Sequence, residues 1–250
     1  MPGMSQFPHD TIKPFEEEGE KKQQVSKMFD AIAGRYDFLN RFLSAGIDVQ
    51  WRIKAIKEFQ GQRLSHLLDI ATGTADMAIR AAKSLQPEKI IGIDISENML
   101  AIGRQKIAKA SLDDRIELLS GDSEQIQFSD HSFDGAMVAF GVRNFQHLEK
   151  GIQEIFRVMK PGGKLVVLEF SQPRLPVIRQ LYHLYMGVIA PQVASIFKQN
   201  KKAYQYLNQS AKAFPDRERF TEVLSNAGFS STAFKPLTFG ICCIYTGYKK

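Results

Sequence analysis

Three short runs of β-branched and aliphatic residues each end on polar groups able to hold part of a small ligand. His66–Ile70 runs into Asp69-Ile70-Ala71-Thr72-Gly73-Thr74-Ala75-Asp76, Ile90–Ile93 ends at Asp94, and Ile116–Leu119 leads to Gly121-Asp122-Ser123. If the runs are strands of one open α/β sheet, a ligand binds beyond their carboxyl ends, where the strand order reverses. Gly73 would let the backbone approach that ligand, and the helix after it offers free amides toward a carboxylate. An acid at Asp94, about twenty residues past the glycine loop, can accept both hydroxyls of a ribose. Asp122 and the amide of Ser123 could read the edge of an adenine. Each feature alone has a plainer explanation, since a lone Asp often caps a helix and a lone Gly often serves only a turn. Three strand ends and a glycine loop together point to a nucleoside.

Two cofactors compete for such a site. A dinucleotide wants Gly-x-Gly-x-x-Gly, because its pyrophosphate needs amides and close approach. Here Gly73 stands alone and Ala75 takes the next glycine position. S-adenosylmethionine has no phosphate, and Asp69 is well placed to attract its ammonium group. Methyl transfer is therefore the expected chemistry. No metal-ligand spacing occurs.

The elements that would position these groups follow from periodicity. Between the apolar runs lie Met77–Leu85, Asn98–Ala108 and Leu148–Met159, with apolar residues three and four apart. Two further runs, Phe133–Ala139 and Lys164–Phe170, continue the alternation. Such alternation implies a mostly parallel sheet covered on both faces. Lys160-Pro161-Gly162-Gly163 reads as a helix stop and a turn. A helix over Asp216–Ala227 with Gly228 as its stop precedes two strands, Ser231–Leu237 and Ile241–Tyr248, joined by a tight turn at Thr238–Gly240. Residues 1–22 hold Pro2, Pro8, Pro14 and Glu16–Glu18 and read as a disordered arm. The remainder, 23–250, reads as one domain with an N-terminal helical cap over 23–60, in which Gly34 and Gly46 should divide several short helices. Pro173–Phe214 is long for a connection and rich in aromatics: Tyr182, Tyr185, Phe197, Tyr204, Tyr206 and Phe214. It reads either as extra core-packing helices or as a lid over an apolar substrate.

At 250 residues, 44% of them apolar and 24% charged, the chain suits one soluble α/β domain. The net charge of +6 is mild, and no basic stripe interleaves with stacking aromatics, which argues against a nucleic-acid partner. Weak attraction to an anionic membrane surface fits the charge as well. The two cysteines, Cys242 and Cys243, are adjacent in one strand and point to opposite faces, so a reducing cytoplasm is expected. No signal peptide is expected, and the apolar stretch Leu181–Phe197 is too interrupted to span a bilayer.

Four segments give a specific resemblance: Phe29-Asp30-Ala31-Ile32-Ala33-Gly34-Arg35-Tyr36-Asp37, the loop through Thr74, Phe140-Gly141-Val142-Arg143-Asn144, and Met159-Lys160-Pro161-Gly162-Gly163. Together they resemble the menaquinone/ubiquinone C-methyltransferase family, over about Val25 to Tyr248. The resemblance implies a Rossmann-like class I S-adenosylmethionine-dependent methyltransferase, with a seven-stranded sheet and an antiparallel C-terminal hairpin. It implies a cofactor held by Thr74, Asp94, Asp122 and Ser123, and a prenylated quinol as substrate. Ala75 departs from the commoner glycine, and Ala139 stands where some members carry a serine that contacts the cofactor.

Quinol chemistry is consistent with that implication. A reduced ring is electron-rich, and its attack on a methyl sulfonium needs alignment and a proton acceptor, with no covalent enzyme nucleophile. Gly141–Asn144 should face the methyl group, with Arg143 stabilising a phenolate or holding a water and Asn144 orienting the ring. A plain ion-pair role for Arg143 stays open, and His147 reads as structural. Amino-directed nucleic-acid methyltransferases place an Asn/Asp-Pro-Pro-Tyr-like motif where this chain has Phe-Gly-Val-Arg-Asn. A non-catalytic adenosylmethionine-binding scaffold is the alternative from another class. The Thr-Gly-Thr-Ala-Asp loop resembles that of the menaquinone-type members, which implies a demethylmenaquinol, and a benzoquinol stays open.

Overall fold

A computed structural model describes residues 7–15, 18–185 and 201–250. Helix α1, Lys21–Leu43, buries Val25, Met28, Ile32 and Ala33. It runs straight through Gly34, where a break was expected. An interior glycine costs a helix only ~1 kcal/mol, which that buried face outweighs. The chain turns at Gly46, whose φ of +78° suits a residue without Cβ, and enters α2, Ile47–Lys57.

The sheet strands are β1 His66–Ile70, β2 Lys89–Asp94, β3 Ile116–Ser120, β4 Phe133–Ala139, β5 Met159–Phe170, β6 Ser230–Leu237 and β7 Cys242–Tyr248. They lie in the order β3-β2-β1-β4-β5-β7-β6. The first five pair in parallel, and β7 enters antiparallel between β5 and β6. β1 and β4 are adjacent at the reversal of strand order, so the ligand crevice opens at their carboxyl ends.

Helices α2, α3 (Asp76–Leu85) and α4 (Glu97–Lys109) cover one sheet face with Trp51, Ile56, Met77 and Leu100. Helices α5 (Leu148–Val158) and α8 (Glu218–Asn226) cover the other with Ile152, Ile155, Phe220 and Leu224. Burial on both faces explains why β2 and β4 carry apolar stretches, Ile90–Ile93 and Gly135–Ala139, without polar alternation. Helix α6, Pro176–Leu184, and helix α7, Lys201–Ala213, lie in the aromatic insertion. α7 joins α1 and Met99 in a separate cluster through Ala203 and Tyr206. Residues 186–200, including Phe197 and Lys198, lie outside the described residues. No helix among the described residues is long and apolar enough to cross a membrane.

Two segments differ from the sequence reading. Lys160–Gly163 is not a free turn: β5 starts at Met159, and the partner register jumps from Phe133↔Met159 to Gly135↔Lys164, so the four residues form a bulge. The Gly162 amide donates to Lys249 O at 2.7 Å, and the Lys249 amide to Gly163 O at 3.0 Å, which pins that bulge to the C-terminus. Residues 7–15, within the segment expected to be a disordered arm, carry a 3-10 turn over Pro8–Thr11. His9 there is fully buried, its ring edge-on to Phe214 at 5.7 Å. Lys21 Nζ donates to His9 O at 2.7 Å, Phe145 O at 2.9 Å and Arg143 O at 3.4 Å. One buried ammonium thus joins the N-terminal segment to the loop after β4. Proline-rich composition concealed these anchors, to which Phe7, Ile12 and Phe15 add apolar contacts.

Candidate active site

Two cavities adjoin at the carboxyl ends of the strands. The first is walled by Ala71 and Gly73 after β1, Asp94 and Ile95 after β2, Gly121–Glu124 after β3, and Ala139–Gly141 after β4, with Phe29 and Tyr36 of α1 across it. It brings together Gly73, Asp94, Asp122, Ser123 and Asn144 of the sequence-predicted residues. The second, of about 230 Å³, is lined by Trp51, Phe140, Phe170, Tyr182, Tyr185 and Ile241, with Asp48, Arg52 and Arg143 among its polar groups. Tyr36 and Phe140 line both.

The first cavity fits a nucleoside bearing an amino acid. Gly73 has φ +56° and no atom within 4 Å of where a Cβ would stand, so a ligand can lie against its backbone. Asp94 Oδ2 accepts from the Gly73 amide at 2.8 Å, and Oδ1 from the Ser96 amide at 2.9 Å. Burial pushes its carboxyl up, and these amides act against that. Each oxygen retains a lone-pair site, enough for two ribose hydroxyls. Asp122 Oδ1 accepts from the Glu124 amide at 2.9 Å, and its Oδ2 from Lys22 Nζ at 2.8 Å. Ser123 stands on the wall beside it, and Ala139 presents only a methyl there.

Asp69 and Thr74 do not reach this wall. Asp69 is 1% exposed behind the loop, with Oδ2 accepting from Thr72 Oγ1 at 2.7 Å. Its Oδ1 has no hydrogen bond of good geometry, and the Ala78 amide exerts only a weak pull. Burial pushes the carboxyl up to about 7. An orphaned buried acid here would gain from a cation close by, which suits an ammonium group in front of the loop. Thr74 is turned the other way: its hydroxyl donates to Asp37 Oδ1 at 2.6 Å and accepts from Lys106 Nζ at 3.1 Å. It ties α1 to the start of α3.

Arg143 and Asn144, neighbours in the 3-10 turn Val142–Asn144, serve different cavities. Asn144 faces the first, its Oδ1 accepting from Tyr206 Oη at 3.2 Å. Arg143 faces the second and is 3% exposed, its Nη1 donating to Glu169 Oε1 at 2.6 Å and to Phe140 O at 2.7 Å. Arg143 is thus no plain surface ion-pair residue: its partner is buried, and the pair lies at the wall of the second cavity. Phe140 sits on the crest between the cavities at φ +60°. That conformation costs a residue with a Cβ about 1–2 kcal/mol, and such strain clusters at functional sites. Beside it, a Cβ on Gly141 would come within 2.6 Å of Ala71 Cβ, so only glycine lets the β4 end approach the β1 loop.

Sequence reasoning missed Lys22, Glu124, Asp48, Arg52 and Glu169. Opposite charges four apart on a helix are ordinarily solvated, so Asp48 and Arg52 on α2 gave no signal, and Glu169 lay within a strand run. A charged residue inside the apolar run Lys164–Phe170 was the one available signal.

The comparisons agree with this geometry. The model of the ubiE/COQ5 methyltransferase family matches residues 17–249. A demethylmenaquinone methyltransferase of Bacteroides fragilis is 44% identical over 97% of this chain and 99% of its own. A ubiquinone/menaquinone biosynthesis C-methyltransferase UbiE of Geotalea daltonii is 42% identical over 92% of this chain and 98% of its own. Among solved structures, a possible histamine N-methyltransferase of Thermotoga maritima superposes with a TM-score of 0.64 at 19% identity, covering 90% of this chain and all of the other. That likeness shows the fold, a class I methyltransferase sheet with an antiparallel C-terminal pair. With the match spanning nearly the whole chain and the crevice built as that fold requires, the chain belongs to the ubiE/COQ5 methyltransferase family.

Proposed function

We propose that the chain methylates a ring carbon of a prenylated quinol, converting a demethylmenaquinol to a menaquinol. The observation that carries this reading is the pair of adjoining cavities, one polar and framed by strand ends, the other apolar and aromatic, meeting at Tyr36 and Phe140. S-adenosylmethionine, when bound in the first, supplies an electrophilic methyl on a cationic sulfonium. Asp94 and the Gly73 loop would hold its ribose, Asp122 and Ser123 its adenine, and buried Asp69 would attract its ammonium.

In the second cavity, Phe140, Phe170 and Trp51 provide flat apolar surface for a fused ring, and Arg143, oriented by Glu169, provides positive charge for a phenolate. The aromatic walls keep water from the reacting carbon. Helix α6 leaves Leu175, Val177, Leu181 and Leu184 exposed beside Tyr182 and Tyr185. These exposed apolar side chains, close in sequence to the two tyrosines, support entry of a prenyl tail near this helix, from transient contact with a membrane surface. The closely similar relative named for demethylmenaquinone supports a naphthoquinol. The relatives named for both quinones keep a benzoquinol as the second reading. Incubation with labelled S-adenosylmethionine and each quinol, followed by mass analysis, decides between them. Labelled product from neither would overturn the proposal.

A further inference from the structure

Resting on the reading of the second cavity as a quinol site, we infer that Asp48 is the residue that selects the reduced ring over the oxidised one. Asp48 and Arg52 are 5% and 7% exposed and lie on the wall of a cavity otherwise dominated by aromatic side chains. Asp48 Oδ1 accepts from Ser44 Oγ at 2.8 Å and Oδ2 from Arg52 Nη1 at 2.6 Å. Arg52 is itself seated over the Phe140 ring, 5.1 Å from its centroid.

Packing does not require this pair. α2 is already anchored by Trp51, Ala55 and Ile56, and taking two charges out of water is costly. The pair is also incompletely used. A carboxylate offers about four acceptor sites, and Asp48 fills two with these partners, Arg41 Nε standing 3.9 Å from Oδ1 as a longer ion pair. A guanidinium has five N–H donors, and among the described residues Arg52 directs only Nη1, to Asp48. The cavity wall therefore presents a strong acceptor beside strong donors.

A hydroxyl answers both: its hydrogen goes to Asp48 and its oxygen accepts from Arg52. A quinone carbonyl can only accept, and it would set a lone pair against the Asp48 carboxylate. An acceptor left facing a lone pair is penalised more than a missing bond. The discrimination lies in binding, separate from the low nucleophilicity of an oxidised ring.

The test measures, under anaerobic conditions, the KM for a short-tailed naphthoquinol and the inhibition constant of the matching naphthoquinone, in wild type and Asp48→Asn. An asparagine amide can also donate to a carbonyl. Wild type should bind the quinone at least about tenfold more weakly than the quinol. In the Asn variant that ratio should collapse to about twofold or less, with cofactor affinity retained. An unchanged ratio in a folded variant overturns the inference. If Asp48→Asn does not fold, Ser44→Ala, which frees one acceptor site on the carboxylate, should raise the ratio, and no change or a fall there overturns the inference equally. Failure of wild type to methylate any quinol would instead overturn the proposed function, so the two failures are distinguishable.

Discussion

Arg143 and Glu169 form an ion pair 2.6 Å long with both side chains shut from solvent, at the inner wall of the apolar cavity. Arg143 lies on the loop after β4 and Glu169 near the end of β5, so the pair ties two neighbouring strand ends. The guanidinium also stands over the Phe170 ring at 5.3 Å. Its Nε is buried with no hydrogen-bond partner among the described residues.

Removing one partner strands the other charge in the interior, which costs about 3–5 kcal/mol. Glu169→Ala should therefore lower the urea midpoint steeply, while Glu169→Gln, which keeps a hydrogen bond to Arg143, should lose less. With the fold retained in the Gln variant, kcat should fall and cofactor affinity should stay near that of wild type. Equal midpoints for wild type and Glu169→Ala would mean that water reaches the pair.

Asp94→Ala removes the acceptor of two loop amides and of the proposed ribose contacts. Charge-assisted hydrogen bonds of this kind contribute roughly 1.5–3 kcal/mol, so cofactor affinity should weaken at least about tenfold. Calorimetric titration of the folded variant reads this directly. Unchanged affinity would remove Asp94 from the site.

Asp69 yields a pH dependence with a definite sign. In the unfolded chain its carboxyl ionises near 3.8, whereas burial holds it protonated in the folded chain up to about 7. Its contribution is thus neutral below pH 4, and stability is lost as the pH rises from about 4 toward 7. Asp69→Asn should gain thermal stability over wild type at pH 8 and none at pH 4, in the absence of cofactor. If the cofactor's ammonium pairs with Asp69, binding near pH 6.5 should release a proton from it, seen as a buffer-dependent binding enthalpy. A buffer-independent enthalpy at that pH would place the ammonium elsewhere.

Tyr182 and Tyr185 line the apolar cavity from α6. Burying a prenyl tail is favourable by about 25 cal/mol per Å², so loss of both rings should raise the KM for a long-tailed quinol more than for a tail-less analogue. Cofactor affinity should stay nearly constant. Equal effects on the two substrates would assign both side chains to general packing.

The strand ends were legible because parallel strands buried on both faces leave apolar runs without alternation, as in Ile90–Ile93 of β2 and Gly135–Ala139 of β4, and the ligand crevice then follows from strand order. Asp94, Asp122 and Gly73 could be found that way. Which way Thr74 turns could not be read, because the direction a side chain takes from a loop depends on partners far along the chain, here Asp37 and Lys106, and the burial of Asp69 within β1 depends on the layers that cover the strand. Asp48 and Glu169 stayed hidden for a related reason. A charge four residues from its opposite on a helix looks solvated until another layer covers it. The bulge at Lys160–Gly163 was concealed because Pro and Gly signal a departure from regular structure without saying whether the strand resumes its pairing.

Lys21 has a consequence for the order in which the protein is made. Its ammonium is satisfied by carbonyls that follow it by 122 and 124 residues. At a synthesis rate of about 5–20 residues per second, the first turn of α1 waits roughly 6–25 seconds for those partners to emerge. During that interval the ammonium is better left in water, so the N-terminal helix cannot dock early. Helix α1, made before every strand of the sheet, thus docks only once β1 to β4 and the loop after them have been made.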